Sequence, residues 1–268
     1  MLLCLKSAQS ISEDMLSSLE ENMKVITQLE KRARRLMQHY NILTRLISLH
    51  DHNEQQRAKQ LIEKLSTGQN IALISDAGTP LISDPGYGLV SQCREASISV
   101  VPLPGPCAAI TALSGAGLPT DRFKFEGFLP VKAMARQQAL ESLLHESSTC
   151  VFYESPRRVL DTVKLIGQVL GEQRRLVLAK ELTKTFETFY SGTAKECMDW
   201  LQADLNHQKG EFVLMVAGEK QDQTQVSPEA IKLLTLLMKE LPLKRAAAIT
   251  AEQYGLKKNI LYQMGLDL

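Results

Sequence analysis

Between Leu73 and Gly88 the chain reads LISDAGTPLISDPGYG, an apolar run that stops at an aspartate and then makes two similar acid, glycine and proline turns. The run IALIS has the composition of a strand buried on both faces. In open parallel sheets, ligands bind beyond the carboxyl ends of the strands, which is where Asp76 stands. Gly78 lets the backbone come close to a ligand. Pro80 and Pro85 stiffen their turns, so the loop loses less entropy when held in a binding shape. The next strand, ISVVPLP, ends the same way: Pro104-Gly105-Pro106 precedes a helix of small residues, CAAITALSGAG. Either loop alone reads as a tight strand-to-helix turn. Rigid loops at two consecutive strand ends together read as a ligand cleft.

The ligand class narrows by exclusion. The sequence has neither G-x-x-x-x-G-K-[ST] nor G-x-G-x-x-G, so the phosphate cradles of P-loop and dinucleotide-binding proteins are missing. What remains is a ligand held by backbone, apolar contact and one carboxylate. S-adenosylmethionine suits such a site.

The elements around these loops follow from periodicity. Residues 12–48 read mainly as helix, with Ser12 as its cap, and NEQQRAKQLIEKLSTG as a second helix closed by Gly68. Then NIALIS, GYGLVSQCREAS, ISVVPLP and PCAAITALSGAGL alternate strand and helix, the pattern of a parallel sheet with crossover helices. Pro, Gly and aromatic residues cluster in LPTDRFKFEGFLP, which places a domain boundary near Asp121. A second α/β block follows: strands TCVFYES, RRLVLAKEL and GEFVLMVAG, and helices PRRVLDTVKLIGQVLG and TAKECMDWLQADLNHQ. The organisation expected is an α/β domain over 1–121, another over 122–219, a polar linker, and a helical tail over 228–268. The tail has the short helices and cations of a helix-turn-helix unit, or of a helical clasp on the core.

The quoted loops, with FYESPRR, AKELTKTFE, LHDHNEQQ and KGEFVLMVAGE, resemble the ribosomal RNA small-subunit methyltransferase I family, within the tetrapyrrole-methylase superfamily. The resemblance runs from about Arg35 to the end. It implies two α/β domains of the tetrapyrrole-methylase type with the cofactor, S-adenosyl-L-methionine, between them, and a helical C-terminal extension. It implies 2'-O-methylation of a cytidine ribose in the decoding region of 16S rRNA in the small ribosomal subunit, and a homodimer. A non-catalytic RNA-binding remnant, or a tetrapyrrole methylase of the same fold, are the competing readings. On the resemblance, Asp76, Gly78, Thr79, Ala108, Ala109, Tyr153, Val216 and Ala217 line the cofactor cleft.

Glu154 is the candidate base or substrate orienter, since a carboxylate must reach hydrogen-bond distance of the 2'-hydroxyl. The competing role is to cap the following helix or pair with Arg157. Lys180 and Glu181 stand at another strand end, with charge pairing or substrate contact as alternatives. RNA backbone needs cations; the candidates are Arg157, Arg158 and Lys184, and in the tail Lys244, Arg245, Lys257 and Lys258. The histidines of HDHNE, His50 to Glu54, lack a nearby third histidine or a cysteine, so no metal is expected. The five cysteines are scattered and make no C-x-x-C, which argues against a disulfide framework.

With 268 residues, 44% hydrophobic and 23% charged, and a formal net charge of +1, the chain has no global basic excess. Any nucleic-acid partner must meet a local patch. No apolar stretch is long enough for a membrane span or a signal peptide, and a cytoplasmic location is expected. The start departs from the family. Members carry a buried strand with a Pro-Thr-Pro-Ile-Gly-Asn-Leu loop, and later Ala-Glu-Asp-Thr-Arg; here the two windows read LCLKSAQSIS and TQLEKRARR. The expectation is that the first strand of the sheet is missing.

Overall fold

The structure, a computed structural model, describes residues 2–5, 23–27, 30–50, 52–75, 77–219 and 226–268. It divides into two compact units, Met1–Gly218 and Glu219–Leu268.

The first unit holds two five-stranded sheets. One is wholly parallel, in the order β3-β2-β4-β1-β5. Its strands are β1 (Leu2–Leu5), β2 (Met23–Thr27), β3 (Leu46–Ser48), β4 (Asn70–Ile74) and β5 (Val100–Pro102). Helices α1 (Glu30–His39), α2 (Glu54–Ser66) and α3 (Tyr87–Glu95) accompany it. In β4 the side chains alternate between two cores, as a strand covered on both faces requires. Ile71 and Leu73 meet Ala58, Leu61 and Leu65 of α2 and Leu89 and Cys93 of α3, while Ala72 meets Met37 and Ile42.

Two expectations are corrected here. The sequence reading left the first strand's place empty; Leu2–Leu5 fills it, paired parallel with β4 on one side and β5 on the other. Nor is 12–48 mainly helix within the described residues. Met23–Thr27 and Leu46–Ser48 are strands flanking α1. The β-branched residues of MKVIT and LIS favour extended backbone and override the helical spacing of the surrounding sequence.

The second sheet runs β6-β7-β10-β8-β9, with β6 (Phe123–Phe128), β7 (Thr149–Glu154), β8 (Arg175–Lys180), β9 (Thr188–Thr193) and β10 (Phe212–Val216). β6 is parallel to β7; β10 lies antiparallel between β7 and β8. Period-two alternation again gives two cores. On one face Cys150, Phe152, Leu176, Leu178, Leu214 and Val216 pack beneath α6 (Val159–Leu170) and α7 (Ala194–Ala203). On the other, Val151, Val177, Ala179, Val213 and Met215 meet α4 (Ala108–Ala116). Helix α5 (Ala133–Glu141) follows β6, and a short 3-10 turn, Leu205–Gln208, precedes β10.

Helix α4 decides where the site lies. It leaves the first sheet yet covers the second. Its small residues allow the close approach: a methyl group on Gly115 would stand 2.8 Å from Phe189 Cζ of β9.

Among its described residues the second unit has three helices, α8 (Pro228–Met238), α9 (Leu243–Tyr254) and α10 (Lys258–Asp267). Ser227 caps α8 by accepting from the Ala230 amide at 3.2 Å, and Gly255 ends α9 in the left-handed conformation at φ 63°. Leu234, Ala246, Ala247, Ala251 and Leu261 form its core.

Candidate active site

The loops after β4 and β5 leave the same rim of the parallel sheet, separated by β1. Thr79 ties them together: its hydroxyl donates to the Pro106 carbonyl at 3.1 Å. Ser75, at the end of β4, donates to the carbonyls of Ala77 and Gly78 at 3.1 and 3.0 Å and so folds the loop back on itself. Four described loop residues take positive φ: Gly78 at 69°, Leu81 at 72°, Ser83 at 60° and Gly86 at 127°. Leucine and serine rarely adopt this conformation, and such strain gathers where surrounding structure enforces a shape for function. Beside Gly78 there is open space, with nothing within 4 Å of a methyl group placed there. Pro80 is buried and Asp84 half-buried.

Tyr153 approaches from β7. Its hydroxyl meets the Ala109 backbone amide and the Cys107 side chain at the start of α4, within electrostatic reach of Asp84. Burial, the largest cause, pushes the phenol up to about 12. At neutral pH it is therefore a proton donor and an apolar wall, and does not serve as a base. Phe125 and Phe128 stand edge-on to its ring, with centroids at 5.0 and 5.7 Å. Phe128 is 56% exposed. Cys107, Ala108, Tyr153, Leu182 and Ala217, all partly buried, share one apolar cluster with Ala109.

Of the residues expected at a cofactor cleft, Gly78, Thr79, Ala108, Ala109 and Tyr153 converge on one rim and the helix start beside it. Ala217 faces α4 but follows Val216, which pairs with Cys150 where Tyr153 pairs with Val213, so it stands at the other end of the strands, ~13 Å away. Asp76 lies outside the described residues. Val216 does not join them, because alternation along β10 turns its side chain toward α6 and α7. Glu154 faces away for the same reason. It is 3% exposed; one oxygen accepts from the Ser155 amide at 2.8 Å and the other from the Thr162 hydroxyl at 2.7 Å. Arg158 Nε stands 3.5 Å from Glu154, an ion-pair distance without a hydrogen bond. Its guanidinium also donates to the carbonyls of Leu129 and Pro130 at 2.8 and 3.3 Å. Glu154 and Arg158 together fasten the turn into α6. The pairing anticipated with Arg157 goes to Arg158 instead, and Arg157 is exposed.

Lys180 is buried and donates to the Asn206 carbonyl at 2.8 Å. Lys184 bridges Glu181 and Glu211 at 2.9 Å each. In HDHNE, Asn53 accepts from the His50 amide at 2.9 Å and contacts its ring nitrogen at 3.0 Å, which shapes the turn before α2. Lys244, Arg245, Lys257 and Lys258 are exposed at the starts of α9 and α10. Sequence reasoning missed Asp84, Cys107, Phe125 and Phe128. The second acidic turn and the aromatic FKFEGF were the visible signals.

Comparison with known proteins fixes the family. Tetrapyrrole (Corrin/Porphyrin) Methylases match residues 3–197, and the RsmI C-terminal HTH domain matches residues 224–268. Ribosomal RNA small subunit methyltransferase I of Escherichia coli O157:H7 is 57% identical over 232 residues, 87% of this chain and 81% of that protein. The chain belongs to the ribosomal RNA small subunit methyltransferase I family. The family member from Pasteurella multocida is 51% identical over 260 residues, 97% of this chain and 92% of its own length. The family likeness therefore extends further toward the start than the motifs after Arg35 indicate. Among solved structures, diphthine synthase aligns with a TM-score of 0.60 at 12% identity, covering 82% of this chain and 91% of its own. The methyltransferase CobJ aligns with 0.57 at 16%, covering 85% and 96%. At those identities the likeness is one of fold. Like its family, the chain is an S-adenosylmethionine-dependent methyltransferase.

Proposed function

We propose that this chain methylates the ribose 2'-hydroxyl of a cytidine in the decoding region of 16S rRNA, on the small ribosomal subunit, in the cytoplasm and as a homodimer. The observation that carries the reading is the pair of rigid loops joined by Thr79 and Pro106, next to Tyr153. The residues fit S-adenosylmethionine. Gly78 offers backbone beside open space. Ala108 and Ala109 keep the start of α4 low enough for an adenosine to lie against it.

When bound, the cofactor supplies an electrophilic methyl on a sulfonium, and displacement in line needs no metal. The chain's own contribution is alignment, which can account for much of such an acceleration. The Tyr153 hydroxyl, held by the Ala109 amide, fixes the second sheet against the helix start. Phe128 presents an exposed ring beside Tyr153 on which the target base can stack, as single-stranded RNA bases do on aromatic side chains. Glu154 acts as a positioning residue for the turn into α6, and Asp84 is the carboxylate at the rim. Lys244, Arg245, Lys257 and Lys258 supply cations for RNA phosphates, with Arg157 exposed near the β7 end. Arg158 and Lys184 are engaged within the protein.

The test is methyl transfer from labelled cofactor into small subunits lacking the modification, followed by alkaline hydrolysis of the RNA. A 2'-O-methyl group removes the nucleophile that cleaves the adjacent phosphodiester, so label is expected in an alkali-resistant dinucleotide containing cytidine. Label released as a methylated mononucleotide would place the methyl on a base and overturn the reading.

A further inference from the structure

The first unit carries a second concavity, away from the cofactor loops. Its volume is about 730 Å³, and it runs along β3 between α1 and α2. Arg34, Arg45, Arg57 and Lys64 line it, and among the described residues no carboxylate does. Arg45, Arg57 and Lys64 make no ion pair among the described residues. In a chain of formal net charge +1, such a concentration is local.

The placement of these cations matters as much as their number. Arg45 leads into β3, an edge strand that pairs with β2 alone. Arg57 and Lys64 lie seven residues apart on α2, two turns or ~10 Å along the axis, so they meet different anionic groups of a ligand. At one end the groove includes Ser48, the last residue of β3. Because the sheet is parallel, that end lies on the same rim as Ser75 and the loop after β4. Glu54, the first residue of α2, accepts the amides of Gly88 and Leu89 at 2.6 and 3.3 Å, which fixes α2 against the far end of that loop.

We propose that this groove holds the phosphate backbone of the substrate RNA flanking the methylated nucleotide. The inference rests on the rRNA reading above. A channel whose described charged residues are all basic fits a polyanion, and its Ser48 end points such a strand toward the rim where the methyl is transferred.

The experiment is binding of a single-stranded fragment of small-subunit rRNA to the full chain, followed by fluorescence anisotropy across a salt series. In the variant Arg45→Ala/Arg57→Ala/Lys64→Ala, the slope of log affinity against log salt should become shallower by about 2, at ~0.7 per lost phosphate contact on a single strand. Affinity at low salt should fall at least about tenfold, while cofactor affinity and melting temperature stay as in the parent. Arg45→Lys/Arg57→Lys keeps the charges and should keep the slope. An unchanged slope in the alanine variant overturns the proposal, and so does a slope lost equally in the lysine variant. Sedimentation that shows dissociation of a dimer with an unchanged slope would assign the groove to a second copy of the chain. Methyl transfer by the parent is scored separately, so the groove can fail while the reaction stands, and the reaction can fail while the groove binds RNA.

Discussion

Replacing Gly78 by valine is expected to weaken S-adenosylmethionine binding at least about tenfold. Gly78 has φ 69°, a region that costs a residue with a side chain roughly 1–2 kcal/mol, and a β-branched one more. Its side chain would also occupy the open space the ligand needs. A tenfold loss corresponds to about 1.4 kcal/mol, so the backbone conformation alone brings the effect near that size. Relief of the strain would move the Gly78 carbonyl off the Ser75 hydroxyl and shift Thr79 from Pro106. Isothermal calorimetry gives the affinity. Gly78→Ala, which carries the conformational cost with less bulk, should fall between parent and valine. Melting temperature should move little, since the change is confined to a half-buried loop. Parent-like binding by both variants would place the ligand elsewhere.

Glu154→Ala should lower stability by about 3 kcal/mol while leaving cofactor affinity of the folded protein unchanged. Removing this carboxylate leaves the buried Thr162 hydroxyl and the Ser155 amide without their acceptor, at roughly 1–3 kcal/mol for each buried group left unpaired. It also removes the counter-charge of the half-buried Arg158, a smaller cost because that guanidinium keeps its bonds to the carbonyls of Leu129 and Pro130. For a unit of about this size the melting temperature should drop by about 6–12 °C. Thermal denaturation and calorimetry below the transition measure the two quantities. A variant that melts like the parent but has lost methyl transfer would return Glu154 to the role of base.

How much of this was legible in the sequence depends on how each strand is covered. β4 was plain because Ile71, Ala72 and Leu73 are all buried, which leaves an unbroken apolar run. β6 and β9 were missed because their residues are largely exposed or half-buried, and the phenylalanines of β6 fall among the Pro and Gly that read as a domain boundary. β2 was hidden within a long stretch of helical spacing. The two cofactor loops could be read because glycine and proline act locally. Which side chains reach them could not, because strand neighbours point to opposite faces and only the register decides which. Tyr153 faces α4 where Glu154 faces α6, and Ala217 faces α4 where Val216 does not. The basic groove draws one cation from each of α1 and the segment before β3, and two from α2. No short motif reveals it.

A crystal structure of the chain with S-adenosylhomocysteine tests the place of the cofactor most directly. Ligand density is predicted on the rim formed by the loops after β4 and β5, against Gly78 and Thr79, with the adenosine beside Ala108 and Ala109 and within contact of Tyr153. Density on the opposite face of the second sheet, beside Glu154 and Thr162, or at the opposite rim of the parallel sheet, would contradict it.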